Sequence, residues 1–334
     1  MPAILVTGGA GFVGSHTVRE LVRRGDRVVV LDDLSEGHRE AVEGVELVAV
    51  DLSAPVQARE GLDSIFKSEE IDVVLHFAGK AYVGESVREP GKYYKNNLGG
   101  GIELLEAVAR NQVPAVIFSS TCAIYGEPEV VPIPETHPQR PVSPYGRTKR
   151  DFEEALADFE AAYGTRHVNL RYFNAAGAHP DGDLGEDHRP ETHLIPLACE
   201  VAMGLRASLG IFGDDYGTPD GTCIRDYVHV VDLASAHTMA VDALRSGAAS
   251  TSYNLGTGKG YSVLEVVRTV ERVSGKDVPT ERAERRPGDP PRLVAASEKI
   301  QRELGWKPSF ASLDAIVETA WRFKQNHPKG YGEV

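Results

Sequence analysis

The chain has 334 residues, enough to bury a large core in one large domain or two mid-sized domains. Hydrophobic residues make up 41% of it and charged residues 25%, which argues against disordered and fibrous proteins. A net charge of −13 argues against nucleic acid and anionic membranes as partners, so an anionic ligand would need arginines close to it.

The start of the chain and its cysteines indicate a cytoplasmic protein. Met1-Pro2 leads directly into an apolar, strand-like run, without the basic segment or cleavage site of a secretory signal. No apolar run approaches the roughly 18 residues that cross a bilayer. Cys122, Cys199 and Cys223 have neither metal-ligand spacing nor a disulfide pattern, so we expect a reducing compartment and no metal site.

Short apolar runs alternate with amphipathic stretches through the first half of the chain. The pattern predicts strands at 4–7, 27–31, 46–50, 72–77, 115–119 and 167–172, and helices at 15–24, 97–111 and 148–163. This alternation predicts right-handed βαβ units and an α/β fold with a doubly wound parallel Rossmann sheet.

The composition changes after residue 174. Gly, Pro, Asp and His crowd residues 177–193, which predicts a loop-rich region. We therefore expect one domain at 1–173 and a smaller α/β lobe at 174–334, with parts of about 226–258 packing back on the first domain.

A glycine-rich turn follows the first predicted strand and precedes the first predicted helix. Gly9, Gly11 and Gly14 match the pattern G-x-G-x-x-G, and Gly8, Gly11 and Gly14 match a looser G-x-x-G-x-x-G. Glycines let the backbone approach a pyrophosphate, and the helix N-terminus offers free N–H groups and a positive dipole to it. Asp32 lies 18 residues beyond Gly14, where a carboxylate bonds the adenosine ribose and repels the 2′-phosphate of NADP. The segment therefore predicts NAD binding in preference to NADP.

Tyr145 and Lys149 are four residues apart, on one face at the start of a predicted helix. A phenol has a pKa of about 10 and is a poor base at neutral pH. An ammonium beside it, with the positive nicotinamide nearby, favours the phenolate. Thr121 lies two residues past the predicted strand 115–119 and offers a hydroxyl to the same substrate oxygen. These three residues form the predicted catalytic set.

Together with further motifs, these residues make the whole chain resemble the extended short-chain dehydrogenase/reductases and, within them, the UDP-glucose 4-epimerases. The motifs that carry the resemblance lie at residues 7–14, 76–79, 83–86, 145–149, 171–174, 177–180, 185–187, 225–227, 253–256 and 285–289.

The resemblance implies reversible epimerisation at C4 of UDP-glucose or UDP-galactose through a transient 4-keto sugar, with tightly bound NAD. Tyr145 would take the proton from the sugar 4-hydroxyl while hydride passes to NAD. The resemblance also implies a homodimer joined through the helices near 97–111 and 148–163.

Strand ends and the resemblance together give the expected contacts. The residues expected to bind NAD are Gly8, Gly11, Phe12, Val13, Gly14, Asp32, Asp51, Leu52, Phe77, Ala78, Gly79, Lys80, Asn96, Ser119, Tyr145, Lys149 and Tyr172. The residues expected to bind the UDP-sugar are Thr121, Tyr145, Asn174, His193, Leu194, Phe212, Arg225, Arg286, Asp289 and Leu293.

Three positions depart from the pattern of well-known relatives. Those relatives carry Leu-Lys-Ala after Phe-Ala-Gly, whereas here Lys80-Ala81-Tyr82 moves the lysine by one position. Paired asparagines are missing around 191–194, which leaves His193 as the sugar or phosphate contact. Leu293 is intermediate in size between the tyrosine of some members and the smaller residue of others, which leaves UDP-N-acetylglucosamine open as a substrate.

Several alternative functions stay open at this point. A UDP-N-acetylhexosamine or UDP-pentose 4-epimerase, an enzyme that modifies UDP-glucuronate, and a dehydrogenase with exchangeable NAD all use the same Tyr-Lys chemistry. A 4,6-dehydratase is disfavoured, because Thr121 is followed by Cys122-Ala123 rather than by two carboxylates. A regulatory Rossmann protein that only senses NAD is also disfavoured, because it needs neither Tyr145 nor Lys149.

Overall fold

A computed structural model of the chain describes residues 2–286 and 289–332. Its fourteen strands are β1 Ala3–Thr7, β2 Arg27–Asp32, β3 Glu46–Ala49, β4 Ile71–His76, β5 Ala115–Thr121, β6 Arg166–Tyr172, β7 Asn174–Ala176, β8 Leu209–Phe212, β9 Ile224–Arg225, β10 Tyr227–His229, β11 Thr251–Leu255, β12 Tyr261–Ser262, β13 Thr280–Ala283 and β14 Arg292–Leu293.

The helices surround and connect these strands. They are α1 Phe12–Arg23, α2 Pro55–Ser68, α3 Val83–Arg88, α4 Pro90–Tyr93, α5 Gly100–Arg110, α6 Pro144–Tyr163, α7 Leu194–Ala202, α8 Val230–Arg245, α9 Val263–Ser274, α10 Glu298–Leu304 and α11 Leu313–Asn326, with short 3₁₀ segments at Arg39–Val42 and Cys122–Ile124 and a π-helical segment at Tyr94–Gly99.

Seven strands form the main sheet in the order β11-β6-β5-β4-β1-β2-β3. The β1 strand pairs in parallel with β2 on one side and β4 on the other, and β2–β3 and β4–β5 are also parallel. The strand order therefore reverses between β1 and β4, which is the position where doubly wound sheets bind dinucleotides. This arrangement confirms the predicted Rossmann sheet.

The sheet forms because its strands are apolar on both faces. All five residues of β1 are buried, as expected of a parallel strand covered by helices on both sides. Alternate residues such as Ala3 and Leu5 point into one core, where Leu62 of α2, Leu104 of α5 and Phe152 of α6 pack against them. This packing fixes the carboxyl ends of the strands, where the predicted site residues lie.

The chain divides into two compact units, and each is made of three separate stretches. The first contains Met1–Gly126, Pro138–Arg171 and Ala234–Tyr253, and the second contains Glu127–His137, Tyr172–Leu233 and Asn254–Val334. Residues 127–137 were expected in the first domain, because in sequence they lie between two elements of the Rossmann sheet.

The second unit has its own core and three small sheets. Helices α7, α9 and α11 contribute Ile195, Val266, Val270 and Ile316 to this core. Its sheets pair β10 with β7, β13 with β8, and β9 with both β12 and β14. Residues 177–193 contain no helix or strand, which confirms the predicted loop-rich region.

Several element boundaries differ from the prediction; α1 and α6, for example, begin at Phe12 and Pro144 rather than at residues 15 and 148. Strand β5 continues to Thr121 rather than ending at residue 119, so Thr121 is the last residue of the strand. The helix expected from residue 97 begins as the π-helical segment Tyr94–Gly99 and becomes α-helical only at Gly100. Among the described residues, none of the helices is both long and apolar enough to span a bilayer.

Candidate active site

The glycine-rich turn between β1 and α1 requires two glycines that no larger residue could replace. Gly8 has a φ of +69°, and a Cβ there would lie 2.4 Å from the amide nitrogen of Ala78. A Cβ on Gly14 would lie 2.2 Å from the carbonyl oxygen of Gly8. A Cβ on Gly11 would approach that same oxygen only to 3.4 Å, an ordinary contact distance. The turn is therefore tight at Gly8 and Gly14 and more open at Gly11.

The N-terminus of α1 is suited to an anion. Gly11 is the N-cap, and within the described chain no side chain caps the helix and no acidic residue lies in its first turn. Phe12 and Val13 begin the helix. The amide groups of this turn lack i−4 partners, and the helix dipole adds partial positive charge. The predicted pyrophosphate-binding residues thus fit the phosphates of a dinucleotide.

Asp32 ends β2 and is buried, with one backbone amide on each carboxylate oxygen. Oδ2 accepts a hydrogen bond from Ala10 N and Oδ1 accepts one from Leu34 N, both at 2.9 Å. Burial raises the pKa of this carboxyl, and the two amides and Lys80 oppose the rise. Each oxygen keeps a lone pair for a ribose hydroxyl.

Lys80 extends toward the loop after β2. Its Nζ donates to Ser35 Oγ at 2.7 Å and to Glu36 Oε1 at 2.9 Å. The displaced lysine is thus engaged by the loop that follows Asp32.

Small residues and backbone groups line the other strand ends. Asp51 Oδ1 accepts from Ser53 N at 2.8 Å, and the following Leu52 is buried. The amides of Phe77 and Ala78 both donate to Thr7 O, at 2.8 and 3.0 Å, which ties the end of β4 to the end of β1.

Asn97 is a buried residue of this region that the sequence analysis missed. Its Oδ1 accepts from Lys80 N at 2.8 Å and its Nδ2 donates to Lys80 O at 3.0 Å, so it binds both peptide groups of Lys80. It also donates to Thr148 Oγ1 of α6 at 3.3 Å. Asn96, the predicted contact, is half-buried in the same π-helical segment. The sequence feature that could have identified Asn97 is an amide side chain on an otherwise apolar face of the predicted helix.

The predicted catalytic residues meet because α6 starts close to the end of β5. Ser143 caps α6 by accepting a hydrogen bond from Gly146 N at 3.2 Å, and Pro144 occupies the first turn. Gly146 permits the close approach, because a Cβ there would lie 2.6 Å from Ala123 O. The hydroxyl of Thr121 lies close enough to Tyr145 to lower its pKa as a hydrogen-bond donor.

Lys149 is buried one helical turn beyond Tyr145. Its Nζ donates to Ser119 O at 2.9 Å and lies 4.8 Å from the ring centroid of Phe118. A Cβ on Gly79 would lie 3.5 Å from this Nζ, so the end of β4 also reaches the lysine. The structure therefore brings together the predicted residues Gly79, Ser119, Thr121, Tyr145 and Lys149.

Burial shifts the pKa of Tyr145 and that of Lys149 in opposite directions. It raises the pKa of Tyr145 to about 12, against the opposing hydrogen bond from Thr121. It lowers the pKa of Lys149 to about 8, against the opposing charge of Glu153. Burial in the protein by itself therefore keeps the phenol protonated, and the Lys149 ammonium, which donates to Ser119 O, does not offset this effect.

A buried ion pair lies one turn further along α6, and the sequence analysis missed its role. Arg171 Nη2 contacts Glu153 Oε2 at 2.5 Å, and Arg171 Nη1 donates to Tyr125 Oη at 3.1 Å. Ser120 Oγ donates to the other Glu153 oxygen at 2.5 Å. Glu153 is four residues from Lys149, a spacing that the sequence displays.

Several residues expected to bind the nucleotide lie together in the second unit. Arg225 is buried in β9, bonds Asp289 through Nη2, and pairs in register with Leu293 of β14. Phe212 ends β8 with 39% exposure, and the guanidinium of Arg286 lies 4.0 Å from the centroid of its ring. Two arginines, one ring and one carboxylate thus form a mixed cationic and aromatic surface.

The remaining predicted contacts also fall in the second unit. Tyr172 ends β6 and is buried, and Asn174 begins β7 with its amide donating to Asp226 O at 2.9 Å. His193 is the N-cap residue of α7, which begins at Leu194. Its Nδ1 lies 2.8 Å from Glu186 Oε1, and this carboxylate helps to raise the pKa of His193 to about 10.

Comparisons with known proteins agree on the family. The model of the NAD dependent epimerase/dehydratase family matches residues 4–256. A UDP-glucose 4-epimerase of Halalkalibacterium halodurans is 50% identical over 98% of this chain and 97% of that protein. The crystal structure of the UDP-glucose 4-epimerase from Brucella ovis in complex with NAD is 48% identical, with a TM-score of 0.92 over 97% of this chain and 98% of that one.

Another crystal structure of a UDP-glucose 4-epimerase has a TM-score of 0.94 and 47% identity, over 99% of this chain and 100% of that one. The similarity extends over both compact units and is far above the level at which only the fold is shared. With a dinucleotide turn, a Tyr-Lys pair beside a threonine hydroxyl and these matches along its whole length, the chain belongs to the NAD-dependent epimerase/dehydratase family.

Proposed function

We propose that this protein is an isomerase that interconverts UDP-glucose and UDP-galactose at C4, using tightly bound NAD. The observation that carries the proposal is the arrangement at the start of α6, where Thr121 lies beside the Tyr145 hydroxyl and Lys149 lies one turn away. The relatives that match the whole chain are UDP-glucose 4-epimerases, which supports this substrate.

The first unit supplies the residues suited to hold NAD. Gly8, Gly11 and Gly14 fit its pyrophosphate, and Asp32 fits the adenosine ribose and disfavours a 2′-phosphate. Bound there, NAD would supply the hydride acceptor for C4 oxidation and the positive charge that lowers the pKa of a nearby phenol.

Tyr145 acts as the acid and base of the reaction. As phenolate it takes the proton of the sugar 4-hydroxyl, and it returns a proton to the same oxygen when the 4-keto sugar is reduced on its other face. Thr121 donates a hydrogen bond to that oxygen, and Lys149 supplies positive charge that favours the phenolate. Because Tyr145 returns a proton for the one that it takes, the reaction consumes no net acid or base.

The second unit supplies the residues suited to the UDP part of the substrate. The guanidinium groups of Arg225 and Arg286 fit a diphosphate and supply the local positive charge that an acidic chain requires. Phe212 fits one face of uracil, and Asp289 fits a ribose hydroxyl. Asn174 and the loop that ends at Leu194 complete the proposed set, with His193 as its least direct member.

The second candidate is a broader UDP-sugar 4-epimerase that also accepts N-acetylated sugars or pentoses. Leu293 favours it, because leucine leaves more room than tyrosine at a position associated with the exclusion of N-acetyl groups. Its place in β14, in register with Arg225, keeps it among the proposed substrate residues.

A product analysis tests the proposal directly. UDP-galactose, UDP-N-acetylgalactosamine and UDP-arabinose are supplied separately, and the sugar epimers are resolved by chromatography. We expect UDP-glucose from the first at the highest kcat/KM. Steady accumulation of NADH from UDP-glucose and added NAD would instead identify a dehydrogenase and overturn the proposal.

We also propose a cytoplasmic homodimer joined through the region of α5 and α6. All three cysteines are buried free thiols, which suits a reducing compartment. Light scattering on the purified protein should give twice the chain mass of 36.2 kDa.

A further inference from the structure

Four potential metal ligands converge in the loop that precedes α7. Glu186, His188, Glu191 and His193 each offer one ligand atom, and these atoms all lie within 4.8 Å of one another. The cluster lies in the loop-rich region 177–193, and the spacing Glu-x-His-x-x-Glu-x-His brings all four ligands from eight consecutive residues. The sequence analysis excluded a metal from its cysteines alone and did not weigh this set.

The distances within the cluster suit a small tetrahedral ion. His193 Nδ1 lies 2.8 Å from Glu186 Oε1 and 3.2 Å from Glu191 Oε1. His188 Nδ1 lies 3.3 Å from Glu186 Oε1 and 3.7 Å from Glu191 Oε2. Ligands about 2.0–2.1 Å from a tetrahedral Zn²⁺ are about 3.3 Å apart, so small side-chain movements complete the geometry.

Because the two carboxylates are buried, a bound cation would stabilise them. The side chains of Glu186 and Glu191 are only 6% and 4% exposed. Among the described residues, Glu191 Oε2 is buried without a hydrogen-bond partner, since its distance of 3.7 Å to His188 Nδ1 is too long for one. A buried carboxylate oxygen left in this way is costly unless a cation satisfies it.

The chemistry of the ligand set favours zinc over calcium or magnesium. Two imidazoles and two carboxylates are a mixed N/O set, whereas the hard cations prefer oxygen alone. One divalent cation with two neutral imidazoles also balances the two buried negative charges. Four protein ligands leave no open position, which is typical of a structural rather than a catalytic zinc site.

We propose that Glu186, His188, Glu191 and His193 bind one Zn²⁺ ion, which fixes the loop that leads into α7. The site is independent of the assigned activity, because it requires neither NAD nor a sugar. If the UDP-sugar contact proposed at Leu194 is right, the metal also sets the position of that residue. His193 then serves as a metal ligand and a positioning residue rather than as a direct contact to phosphate.

The test measures metal rather than activity. Tag-free protein is purified from zinc-supplemented cells, and zinc is measured by plasma mass spectrometry; we expect about one ion per chain. Cobalt substituted for zinc should give the visible absorption bands of a tetrahedral site. A chelator should remove the metal and lower the Tm of the wild-type protein, a readout that needs no variant.

Variants locate the ion. His188→Asn and Glu191→Gln should each weaken zinc binding at least tenfold. His179→Asn is the matched control, because His179 lies in the more exposed cluster with Asp181 and Asp183, and it should leave the metal content unchanged.

Two results would overturn the proposal. One is wild-type protein without zinc and without a tetrahedral cobalt spectrum, which would make the cluster an ion-pair network of protonated histidines. The other is unchanged metal content in folded His188→Asn and Glu191→Gln proteins, with folding checked by circular dichroism.

Discussion

The ammonium nitrogen of Lys149 lies 5.9 Å from the ring centroid of Tyr145, one helical turn away. Both side chains are drawn out of water by the same packing of α6 against β5. Burial then disfavours the charged form of each, so the phenol resists deprotonation and the lysine amine resists protonation. Both side chains therefore favour their uncharged forms in this site, and a charged cofactor bound beside them would change that balance.

Replacing Tyr145 by phenylalanine should remove the acid and base of the reaction while leaving the Rossmann unit intact. We expect kcat to fall by about 10²–10⁴ and the bound NAD content to stay unchanged. UDP-galactose turnover and the absorbance of released cofactor measure the two quantities. Tyr163→Phe, at a 63% exposed position on the same helix, is the control and should have full activity. Near-normal turnover by Tyr145→Phe would refute the catalytic assignment.

Replacing Lys149 by methionine should stabilise the NAD-free protein at pH 7 while lowering its turnover. Burial lowers the pKa of Lys149 from 10.5 to about 8, so below pH 8 folding must bury a charge. The folded chain releases the proton near pH 8 and the unfolded chain only near pH 10.5, so wild-type stability rises with pH between these values. The stabilisation by methionine should be on the order of 3 kcal/mol at pH 7 and largely vanish by about pH 10.

Urea unfolding of both proteins at several pH values measures this difference. Lys67→Met, at an exposed position of α2, is the control and should show no such dependence on pH. A stability difference between wild type and Lys149→Met that is constant from pH 7 to 10 would mean that Lys149 is not penalised by burial.

Asp32→Asn should narrow the preference of the protein for NAD over NADP. The amide keeps the shape of the side chain but removes the negative charge that repels a 2′-phosphate. We expect the ratio of the two Kd values to shift toward NADP by about tenfold, or about 1.4 kcal/mol. Titration of both dinucleotides into cofactor-stripped protein measures the ratio. The neighbouring Asp33→Asn should leave it unchanged, and an unaltered ratio in Asp32→Asn would exclude the ribose contact.

Asn97→Ala should destabilise the protein, whereas Asn96→Ala should act on the cofactor. Asn97 makes two hydrogen bonds to the backbone of Lys80, and its removal leaves a partly buried amide and carbonyl without these partners. The expected loss is about 1–3 kcal/mol of unfolding free energy, measured by urea unfolding. If Asn96 contacts NAD, its alanine variant loses bound cofactor at nearly wild-type stability. Loss of cofactor in Asn97→Ala and loss of stability in Asn96→Ala would instead mean that Asn97 contacts NAD and Asn96 stabilises the fold.

The sequence predicted the Rossmann sheet because its strands are buried on both faces and carry a strong local pattern. It missed the extension of β5 to Thr121, since the last strand residues are polar and their pairing depends on the neighbouring strand. It also missed the π-helical segment Tyr94–Gly99, because a local change of helical hydrogen-bond pattern leaves no mark on the hydrophobic periodicity.

The candidate site was predictable where its residues are close in the chain. Gly8, Gly14, Tyr145 and Lys149 belong to short motifs whose spacing reflects a single turn or helix. The ion pairs of Glu153 with Arg171 and of His193 with Glu186 were not predictable from the sequence. A salt bridge within a folded loop or between two elements leaves no periodic signal. The direction of the Lys149 side chain toward Ser119 O also required the packed structure.

The three-stretch construction of each compact unit limits how this protein can change. Neither unit is a continuous piece of gene, so a single recombination event cannot exchange the second unit between relatives while keeping the first. We therefore expect changes in sugar preference to arise by substitution within the existing chain, and Leu293 is the position proposed above. For the same reason, engineering by domain swapping would need several simultaneous junctions, whereas point mutagenesis needs none.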